Sequence, residues 1–319
     1  MMTDLKYSGE KNLKGYFFGS SGFIGKHLFT YLKDHSIDLE ARSARGDSWH
    51  RLNDKVALVY INLVGKAHDH QGLATEMDYY YVNVELTKKI FLEFVHSKAE
   101  LFIHVSSLAA VEEFESIQPL NETDECRPQS FYGKSKRAAE LWLLKQQLPA
   151  NKKLIILRPP MVHGKGDKGN LGLLYKLISK GIPYPLSAFD NKRSFICIDN
   201  FMFFVYQITE HYKRLESGIY HIADDQSIAT SEIVSIIKNV LGKNVLNISL
   251  PKVLILAIAK IGDFIPIPLN SKRLKKMTAN LTVDSSKIKQ QLGVVELPYT
   301  AKDGLHKTIS DFYIQKSHS

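Results

Sequence analysis

A glycine-rich turn near the start of the chain constrains its fold more than any other feature. Gly19, Gly22 and Gly25 follow an apolar run at 15–18, and apolar residues recur at helical spacing from Phe23 onward. Glycine permits a tight turn, close approach of the backbone to a ligand and close packing of a helix on a strand. The pattern predicts a strand, a turn and a helix, and the N–H groups that begin this helix can bind phosphate.

Strand-like and helix-like apolar patterns alternate as far as residue 160. Strands are predicted near 15–18, 37–41, 56–64, 101–105 and 154–157, and helices near 23–32, 84–96 and 130–147. One more strand and helix are predicted around 195–208. Such alternation forms right-handed βαβ units around a parallel sheet. We therefore predict an α/β fold, a Rossmann-type doubly wound parallel sheet with a smaller, mixed α/β C-terminal lobe for the substrate.

The chain of 319 residues is long enough for two such units. We assign residues 13–160 and 192–235 to the dinucleotide-binding domain, and residues 161–191 and 236–319 to the substrate lobe. Residues 1–12 are polar and lack an apolar signal segment, so we expect a flexible tail there.

The charge balance of the chain narrows the choice of partner. The formal net charge is +9, which suits an anionic small molecule. The sequence lacks the stripe of basic residues interleaved with aromatic ones that would predict nucleic acid binding.

No apolar run in the sequence reaches the ~20 residues of a membrane span. The segment at 253–269 comes nearest but is interrupted by Lys260, Asp263 and two prolines. We predict a buried helix and loop there, with contact to a membrane surface as the alternative.

Cysteine and histidine usage predicts no metal site. Cys126 and Cys197 have neither metal-ligand spacing nor a disulfide framework, which favours a reducing, cytoplasmic location. His68 and His70 stand two residues apart in a predicted turn, and this spacing is poor evidence for zinc.

A tyrosine and a lysine supply candidate proton-transfer chemistry. Tyr132 and Lys136 are four residues apart and fall on one face of the helix predicted at 130–147. A nearby ammonium favours the phenolate, so we expect Lys136 to lower the pKa of Tyr132 and make it a general acid or base. Ser107, at the end of the preceding strand, can hydrogen-bond the same substrate oxygen, and Ser106 is the alternative.

Residues beside the glycine turn complete a candidate cofactor site. Ser21, Phe23 and Ile24 belong to the turn and the start of its helix. Leu63 and Gly65 end another strand at the same edge of the sheet, where small and apolar residues suit the adenosine or ribose of a dinucleotide. A plain turn at a strand end has the same pattern.

The end of the second predicted strand bears on the choice between NAD and NADP. An acid there binds the 2′-hydroxyl of NAD, whereas arginine accommodates the 2′-phosphate of NADP. The chain has Arg42, Ser43 and Arg45 at this point, which slightly favours NADP. Asp38 or Glu40 is the alternative if the strand ends earlier.

Together these residues resemble the extended short-chain dehydrogenases/reductases, specifically the nucleotide-sugar epimerase/dehydratase group. The resemblance runs from Leu13 to Phe312. Its motifs are the glycine turn, Asn83, His104-Val105-Ser106-Ser107, Tyr132-x-x-x-Lys136, Leu157 to Gly164, Gly169-Asn170-Leu171, Arg193 to Asn200, and Leu281 to Lys287 followed by Leu292-Gly293.

The resemblance implies an enzyme that binds NAD or NADP in its Rossmann domain. Tyr132 would be the catalytic acid or base, Lys136 would hold the nicotinamide ribose, and Ser107 would bind the reacting sugar oxygen. Asn83 and Pro159 would lie beside the cofactor.

The same resemblance implies a UDP-sugar in the C-terminal lobe and a homodimer. Asn170 and Arg193 would contact the diphosphate of this substrate, and a guanidinium matches phosphate in a bidentate way. A diphosphate site argues against a sterol, flavonoid or other simple ketone as substrate. The presence of both Tyr132 and Lys136 argues against a non-catalytic dinucleotide-binding relative.

Departures from the family pattern narrow the reaction. Dehydratases of the family carry an acidic pair just after the catalytic serine. In this chain Ser107 is followed by Leu108-Ala109-Ala110, and Glu112 and Glu113 are too far along the chain to replace the pair. Dehydration is therefore not expected. Val111-Glu112 stands where 4-epimerases usually have Tyr-Gly. A reductase consumes its cofactor in each turnover, which suits NADPH. The slight preference for NADP therefore favours reduction of the C4 ketone of a UDP-2-acetamido-2,6-dideoxy-4-hexulose, in the synthesis of surface polysaccharide. The alternative is a C4-epimerase of the UDP-glucose or UDP-N-acetylglucosamine type with tightly bound NAD.

Overall fold

The structure is a computed structural model, and it describes most of the chain. It covers residues 13–45, 57–67, 73–167, 169–182, 184, 186, 189–242, 250–265 and 270–317. The tail predicted at 1–12 and the histidine pair at 68 and 70 lie outside the described residues.

Strands and helices alternate through the first half of the chain, and helices dominate the second half. The strands are β1 (Leu13–Phe18), β2 (Ile37–Arg42), β3 (Val59–Asn62), β4 (Leu101–Val105), β5 (Lys153–Arg158), β6 (Met161–His163), β7 (Phe195–Cys197) and β8 (Gly218–His221). The α-helices are α1 (Phe23–Asp34), α2 (Glu76–Tyr80), α3 (Leu86–His96), α4 (Phe131–Leu144), α5 (Asn170–Ser179), α6 (Ile198–His211), α7 (Thr230–Leu241), α8 (Lys252–Ile261), α9 (Ser271–Thr278), α10 (Ser286–Leu292) and α11 (Ala301–Ser317). A π-helical segment, Tyr81–Glu85, joins α2 to α3.

Six parallel strands form the main sheet, in the order β2-β1-β3-β4-β5-β8. Strand β1 has β2 on one side and β3 on the other, so the strand order reverses at β1. In sheets of this kind, ligands bind outside the carboxyl ends of the strands beside the reversal point. The glycine turn leaves β1 at this edge. The Rossmann-type parallel sheet predicted from the sequence is therefore confirmed.

Successive residues of the central strands pack on opposite faces of the sheet. Phe17 and Ile61 belong to one apolar core, together with residues of α1 and α6. Phe18 and Tyr60 belong to another core, together with residues of α3. Burying a large apolar side chain of this kind contributes about 1.5–3 kcal/mol. Because both faces are covered, these strands are apolar throughout rather than alternately apolar and polar.

The strand and helix predicted around 195–208 are present as β7 and α6, but β7 lies outside the main sheet. It pairs with β6 in a separate two-stranded parallel sheet. The sixth strand of the main sheet is β8, which pairs with β5 and which the sequence analysis missed. With four residues, β8 is too short to show a period of its own.

The C-terminal lobe has its own apolar core, which includes Tyr175, Ile237 and Leu305. The prediction of a buried helix at 253–269 was wrong. Helix α8 covers the first part of this segment, but only Ile255 and Ala259 are buried on it, because one narrow side packs on the lobe. None of the helices in the described part of the chain is both long enough and apolar enough to cross a bilayer.

Candidate active site

The glycine turn packs against the end of the neighbouring strand β3. Gly19 has a φ of +91°, a conformation that favours glycine. A Cβ at this position would lie 2.8 Å from the backbone carbonyl carbon of Leu63. The Leu63 N–H donates to the Phe18 carbonyl at 2.9 Å, which joins the two strand ends. A side chain at position 19 would therefore force the turn away from the strand.

The start of α1 has the shape and the donors of a phosphate site. A Cβ on Gly25 would lie 2.1 Å from the Gly19 carbonyl oxygen, so the helix packs on the turn only with glycine there. At Gly22, by contrast, the nearest protein atom to an added Cβ is 3.5 Å away. Among the described residues no side chain caps this helix end, and its first turn has no acidic residue. This open, donor-rich surface fits the diphosphate of a dinucleotide.

Other residues predicted to bind the cofactor lie at the same edge of the sheet. Ser21 is exposed on the turn, and Phe23 and Ile24 are half-buried in the first turn of α1. Pro159 follows β5, and its carbonyl accepts a hydrogen bond from the Leu108 N–H at 2.8 Å. Pro159 thereby joins the end of β5 to the segment that follows the end of β4.

The end of β2 presents a basic and a hydroxyl side chain beside the glycine turn. Arg42 is the last residue of β2 and pairs with Phe18, which immediately precedes the turn, and the exposed Ser43 follows. Asp38 lies near the start of β2. The carboxylate of Glu40 accepts a hydrogen bond from the Arg42 guanidinium at 2.8 Å. Neither acid therefore occupies the strand end, where a ribose-binding acid is expected.

Asn83 lies in the π-helical segment and links two parts of the site. Its side-chain oxygen accepts from the Lys66 N–H at 2.7 Å, and its amide donates to the Lys66 carbonyl at 3.2 Å and the Ser135 hydroxyl at 2.7 Å. π-Helical turns are frequent at functional sites. Asn83 thus holds the segment after β3, which contains Gly65, against helix α4.

The structure brings Tyr132 together with Ser107. The Ser107 side chain lowers the pKa of the Tyr132 hydroxyl, so the two groups are neighbours, and the Ser107 hydroxyl accepts a hydrogen bond from the Ala109 N–H at 3.2 Å. The Ser106 hydroxyl instead donates to the carboxylate of Glu140 at 2.6 Å. The geometry therefore selects Ser107 over Ser106 as the hydroxyl beside Tyr132.

The pKa of Tyr132 is raised, so the expectation that Lys136 lowers it was wrong. Burial of the phenol is the main cause of the raised pKa, the Ser107 hydroxyl partly offsets it, and the carboxylate of Glu113 adds to the rise. The Lys136 ammonium donates instead to the Val105 carbonyl at 2.9 Å. Tyr132 is therefore a neutral phenol at neutral pH, the form that donates a proton.

Glu113, which the sequence analysis set aside, organises the start of α4. Its carboxylate accepts hydrogen bonds from the N–H groups of Gln129 and Ser130 and from the Ser130 hydroxyl, at 2.7 to 2.9 Å. The Ser130 hydroxyl caps the helix by accepting from the Gly133 N–H at 3.0 Å. A negative charge near a helix N-terminus is stabilising. Glu113 thus orients the helix turn that carries Tyr132.

Lys136 is buried on α4, close to Gly65. A Cβ on Gly65 would lie 3.1 Å from the Lys136 Nζ, so a larger residue there would crowd the ammonium. Burial lowers the pKa of Lys136 to about 8, and the negative charge of Glu140 opposes this shift. The side chain is charged at neutral pH and loses its proton only slightly above it.

We expect kcat/KM to fall as the pH rises through about 8, the pKa of Lys136. Below this pH the lysine is an ammonium that can donate hydrogen bonds, and above it the lysine is a neutral amine. A pH profile of kcat/KM measures this because it reports groups of the free enzyme. The exposed neighbour Lys134 provides the control, since Lys134→Met should leave the profile unchanged. A wild-type profile that stays flat to about pH 10, where exposed lysines titrate, would contradict the assignment.

A buried ion pair connects α4 to β5, and the sequence analysis missed it. Arg158 donates to both carboxylate oxygens of Glu140, at 2.8 and 2.7 Å. The spacing offered one signal, because Glu140 stands four residues after Lys136 and therefore on the same side of the helix. Removing one partner of a buried pair typically costs about 3–5 kcal/mol. The pair therefore fixes the position of the helix that carries Tyr132.

The residues predicted to bind a diphosphate lie farther along the chain. Asn170 begins α5. The Arg193 guanidinium donates to the Phe114 carbonyl at 3.4 Å and the Ala279 carbonyl at 3.2 Å, and burial lowers its pKa. Phe114 belongs to the loop that follows Ser107. Arg193 is therefore held against the same segment that supplies the hydroxyl beside Tyr132.

The chain is similar to known proteins over most of its length. The model of the NAD dependent epimerase/dehydratase family matches residues 16–223. The chain is 26% identical over 315 residues to the UDP-glucose 4-epimerase of Vibrio cholerae, covering 92% of this chain and 94% of that protein. It is also 26% identical over 319 residues to the N-acetyl-alpha-D-glucosaminyl-diphospho-ditrans,octacis-undecaprenol 4-epimerase of Escherichia coli O157:H7, covering 91% and 92%. The fold matches that of UDP-glucuronic acid 4-epimerase from Bacillus cereus in complex with NAD, with a TM-score of 0.72, 18% identity, and 95% and 99% of the two chains covered.

Proposed function

The chain belongs to the NAD dependent epimerase/dehydratase family, and from this premise we propose that it inverts C4 of a sugar carried on a diphosphate. The observation that carries the proposal is the placement of Tyr132 beside Ser107, with the buried Lys136 one helical turn along. The pair supplies a proton donor and a second hydroxyl for one sugar oxygen. The glycine turn at 19–25 supplies the dinucleotide site.

A bound nicotinamide dinucleotide supplies the hydride acceptor and donor, and the chain's own residues handle the proton. As a phenolate, Tyr132 takes the proton of the C4 hydroxyl when the sugar is oxidised, and as the phenol so formed it returns this proton when the ketone is reduced. Ser107 donates to or accepts from the same oxygen and fixes its position. The Ser107 hydroxyl, which lowers the pKa of Tyr132, favours the phenolate during oxidation, against the burial that favours the phenol.

Asn170 and Arg193 are proposed to hold the diphosphate that carries the sugar. Arg193 already donates to two backbone carbonyls, which set the direction of its guanidinium before a ligand binds. A planar guanidinium presents parallel donors to phosphate oxygens. This anchoring leaves the sugar free to turn between hydride removal and return, which inversion of C4 requires.

The names of the two relatives support epimerisation more than reduction, since both are 4-epimerases. Reduction of a UDP-linked 4-keto sugar, the reaction favoured by the sequence, stays the second candidate. The observation in its favour is Arg42 at the end of β2, because a preference for NADP suits an enzyme that consumes its cofactor.

Two incubations separate these reactions. Purified protein is mixed with UDP-glucose or UDP-N-acetylglucosamine without added reductant, and separately with a UDP-4-keto-hexose and NADPH. The proposal predicts the C4 epimer in the first mixture, from protein that retains its dinucleotide on purification. NADPH consumption in the second mixture without any epimer in the first would establish the reductase instead. Failure of both reactions would overturn the proposal.

We propose that Arg42 makes the cofactor site slightly selective for NADP over NAD. Its ion pair with Glu40 is half-exposed, with 27% and 59% of the two side chains accessible, so it is weak and can give way to a 2′-phosphate. Arg42→Ala is expected to weaken NADPH binding about tenfold, the cost of a hydrogen bond to a charged group, and to leave NADH binding unchanged.

Calorimetric titration of both cofactors measures this preference directly. Arg214→Ala, which removes an exposed arginine elsewhere on the protein, is the matched control and should affect neither cofactor. Equal losses for NADH and NADPH in Arg42→Ala would contradict the assignment of the arginine to the 2′-phosphate.

A further inference from the structure

Helix α8 exposes apolar side chains on the side that points away from the C-terminal lobe. Its ten residues are two lysines and eight apolar residues, of which only Ile255 and Ala259 are buried. Val253 is 78% exposed, Leu256 49% and Ile261 53%. A surface helix of a globular protein normally presents charged and polar residues on this side. The outward side of α8 is thus apolar without a covering layer among the described residues.

The apolar surface continues beyond the end of the helix. Phe264 is 91% exposed, and Ile265 is exposed beside it. The α8 face, as we define it, comprises Val253, Leu254, Leu256, Ile261, Phe264 and Ile265. Contiguous exposed apolar surface marks a site of contact with a protein or a membrane. Ten residues are too few to span the ~30 Å of a bilayer core, so this face can only lie along a surface.

The sequence around the α8 face is rich in basic residues. From Pro251 to Ala279 the sequence contains six basic residues and one acidic residue. Four of the six belong to α9, which packs against α8. The single acid, Asp263, accepts hydrogen bonds from the N–H and the hydroxyl of Ser271 at 2.9 and 2.6 Å. Lys275 pairs with Glu115 of a separate segment at 2.6 Å. The region as a whole remains strongly basic.

We propose that the α8 face docks on the surface of an anionic lipid bilayer. Its apolar side chains would enter the boundary between headgroups and acyl chains, and the basic residues of α8 and α9 would lie near lipid phosphates. The charge of this region favours anionic lipid over a second copy of the chain. A second copy of the chain would bring the same basic region against itself, whereas anionic lipid is complementary to it.

Docking in this orientation has a consequence for the substrate. The Arg193 guanidinium donates to the carbonyl of Ala279, just after α9. The arginine assigned to the diphosphate is therefore bonded to the segment that follows one of the two helices at the proposed membrane surface. This consequence rests on the proposed function, whereas docking itself does not.

Co-flotation with vesicles tests the proposal on the full chain. The vesicles are phosphatidylcholine alone or phosphatidylcholine mixed with phosphatidylglycerol. Wild-type protein is expected to float with the anionic vesicles and to be released by high salt. The double variant Val253→Ser/Phe264→Ser is expected to lose at least about tenfold in affinity, since burying even one such side chain is worth about that factor. Lys260→Gln is expected to lose about fivefold.

Two controls keep the result specific to this face. Val295→Ser, at a residue that is 84% exposed in another part of the chain, should float as the wild type does. Tyr132→Phe should also float, which separates docking from the reaction. The proposal is overturned by absence of flotation, by equal binding to neutral vesicles, or by undiminished binding of the double variant. It is also overturned if the double variant changes the oligomeric state in gel filtration, because the face would then be an interface between copies.

Discussion

Replacing Tyr132 by phenylalanine is expected to lower kcat by about 100- to 10,000-fold, the usual contribution of a positioned proton donor or acceptor. The hydroxyl of Tyr132 lies beside Ser107, and burial keeps it protonated. The ring without the hydroxyl fits the same space, so the loss should fall on kcat, with binding of substrate and cofactor nearly unchanged. Steady-state kinetics with the epimerisation substrate, alongside a cofactor titration, separate the two effects.

Tyr81→Phe is the matched control for this variant. Tyr81 begins the π-helical segment and is 53% exposed, so loss of its hydroxyl should leave kcat within a factor of about two, as for most exposed substitutions. A Tyr132→Phe protein that kept a tenth or more of wild-type kcat would place the proton transfer on another group.

The second large effect is expected at Gly25. The Cβ of Gly25→Ala would lie 2.1 Å from the Gly19 carbonyl oxygen, so α1 must move away from the turn. Overpacking of this kind costs about 1–3 kcal/mol of stability. The movement also misplaces the N–H groups that are proposed to hold the dinucleotide. Each charge-assisted hydrogen bond lost costs about 1.5–3 kcal/mol, so the affinity for NAD or NADPH should fall at least about tenfold.

The variant Gly22→Ala separates the loss of stability from the loss of cofactor affinity. Its Cβ would meet no protein atom closer than 3.5 Å, so the melting temperature without cofactor should stay that of the wild type. The methyl group would nevertheless occupy the open surface assigned to the diphosphate, and the affinity for the dinucleotide should fall. Thermal melting and calorimetric titration of both variants test this pattern. Unchanged cofactor affinity in both variants would contradict the location of the site.

The parts of the fold that could be predicted from the sequence are those with local signals. The apolar run at 101–105 identifies a strand covered on both faces, and the glycine spacing identifies the first turn. The partner of β7 could not be predicted in this way, because strand pairing depends on residues distant in sequence. The exposure of α8 was also beyond prediction, since an apolar helix has the same pattern whether or not another layer covers it.

The candidate site likewise has parts that local sequence signals predict and parts that they do not. The spacing of Tyr132 and Lys136 and the place of Ser107 at a strand end predicted their proximity to one another. The ion pair of Glu140 and Arg158 joins a helix to a strand. Only Glu140 lies on the helix that the spacing of Tyr132 and Lys136 identifies, so the pair could not be predicted. The direction of the Tyr132 pKa shift could not be predicted from spacing, because burial is its main cause and burial is a property of the folded chain.

The fate of the hydrogen on C4 tests the central claim most directly. Wild-type protein is incubated with UDP-glucose carrying deuterium at C4, without added reductant, and the product is examined by nuclear magnetic resonance. A hydride taken to a bound dinucleotide and returned to the other face predicts an inverted sugar that keeps its deuterium at C4, and predicts no product from Tyr132→Phe. An inverted sugar whose deuterium has been replaced from solvent, or the absence of inversion with every diphosphate-linked hexose, would contradict the account.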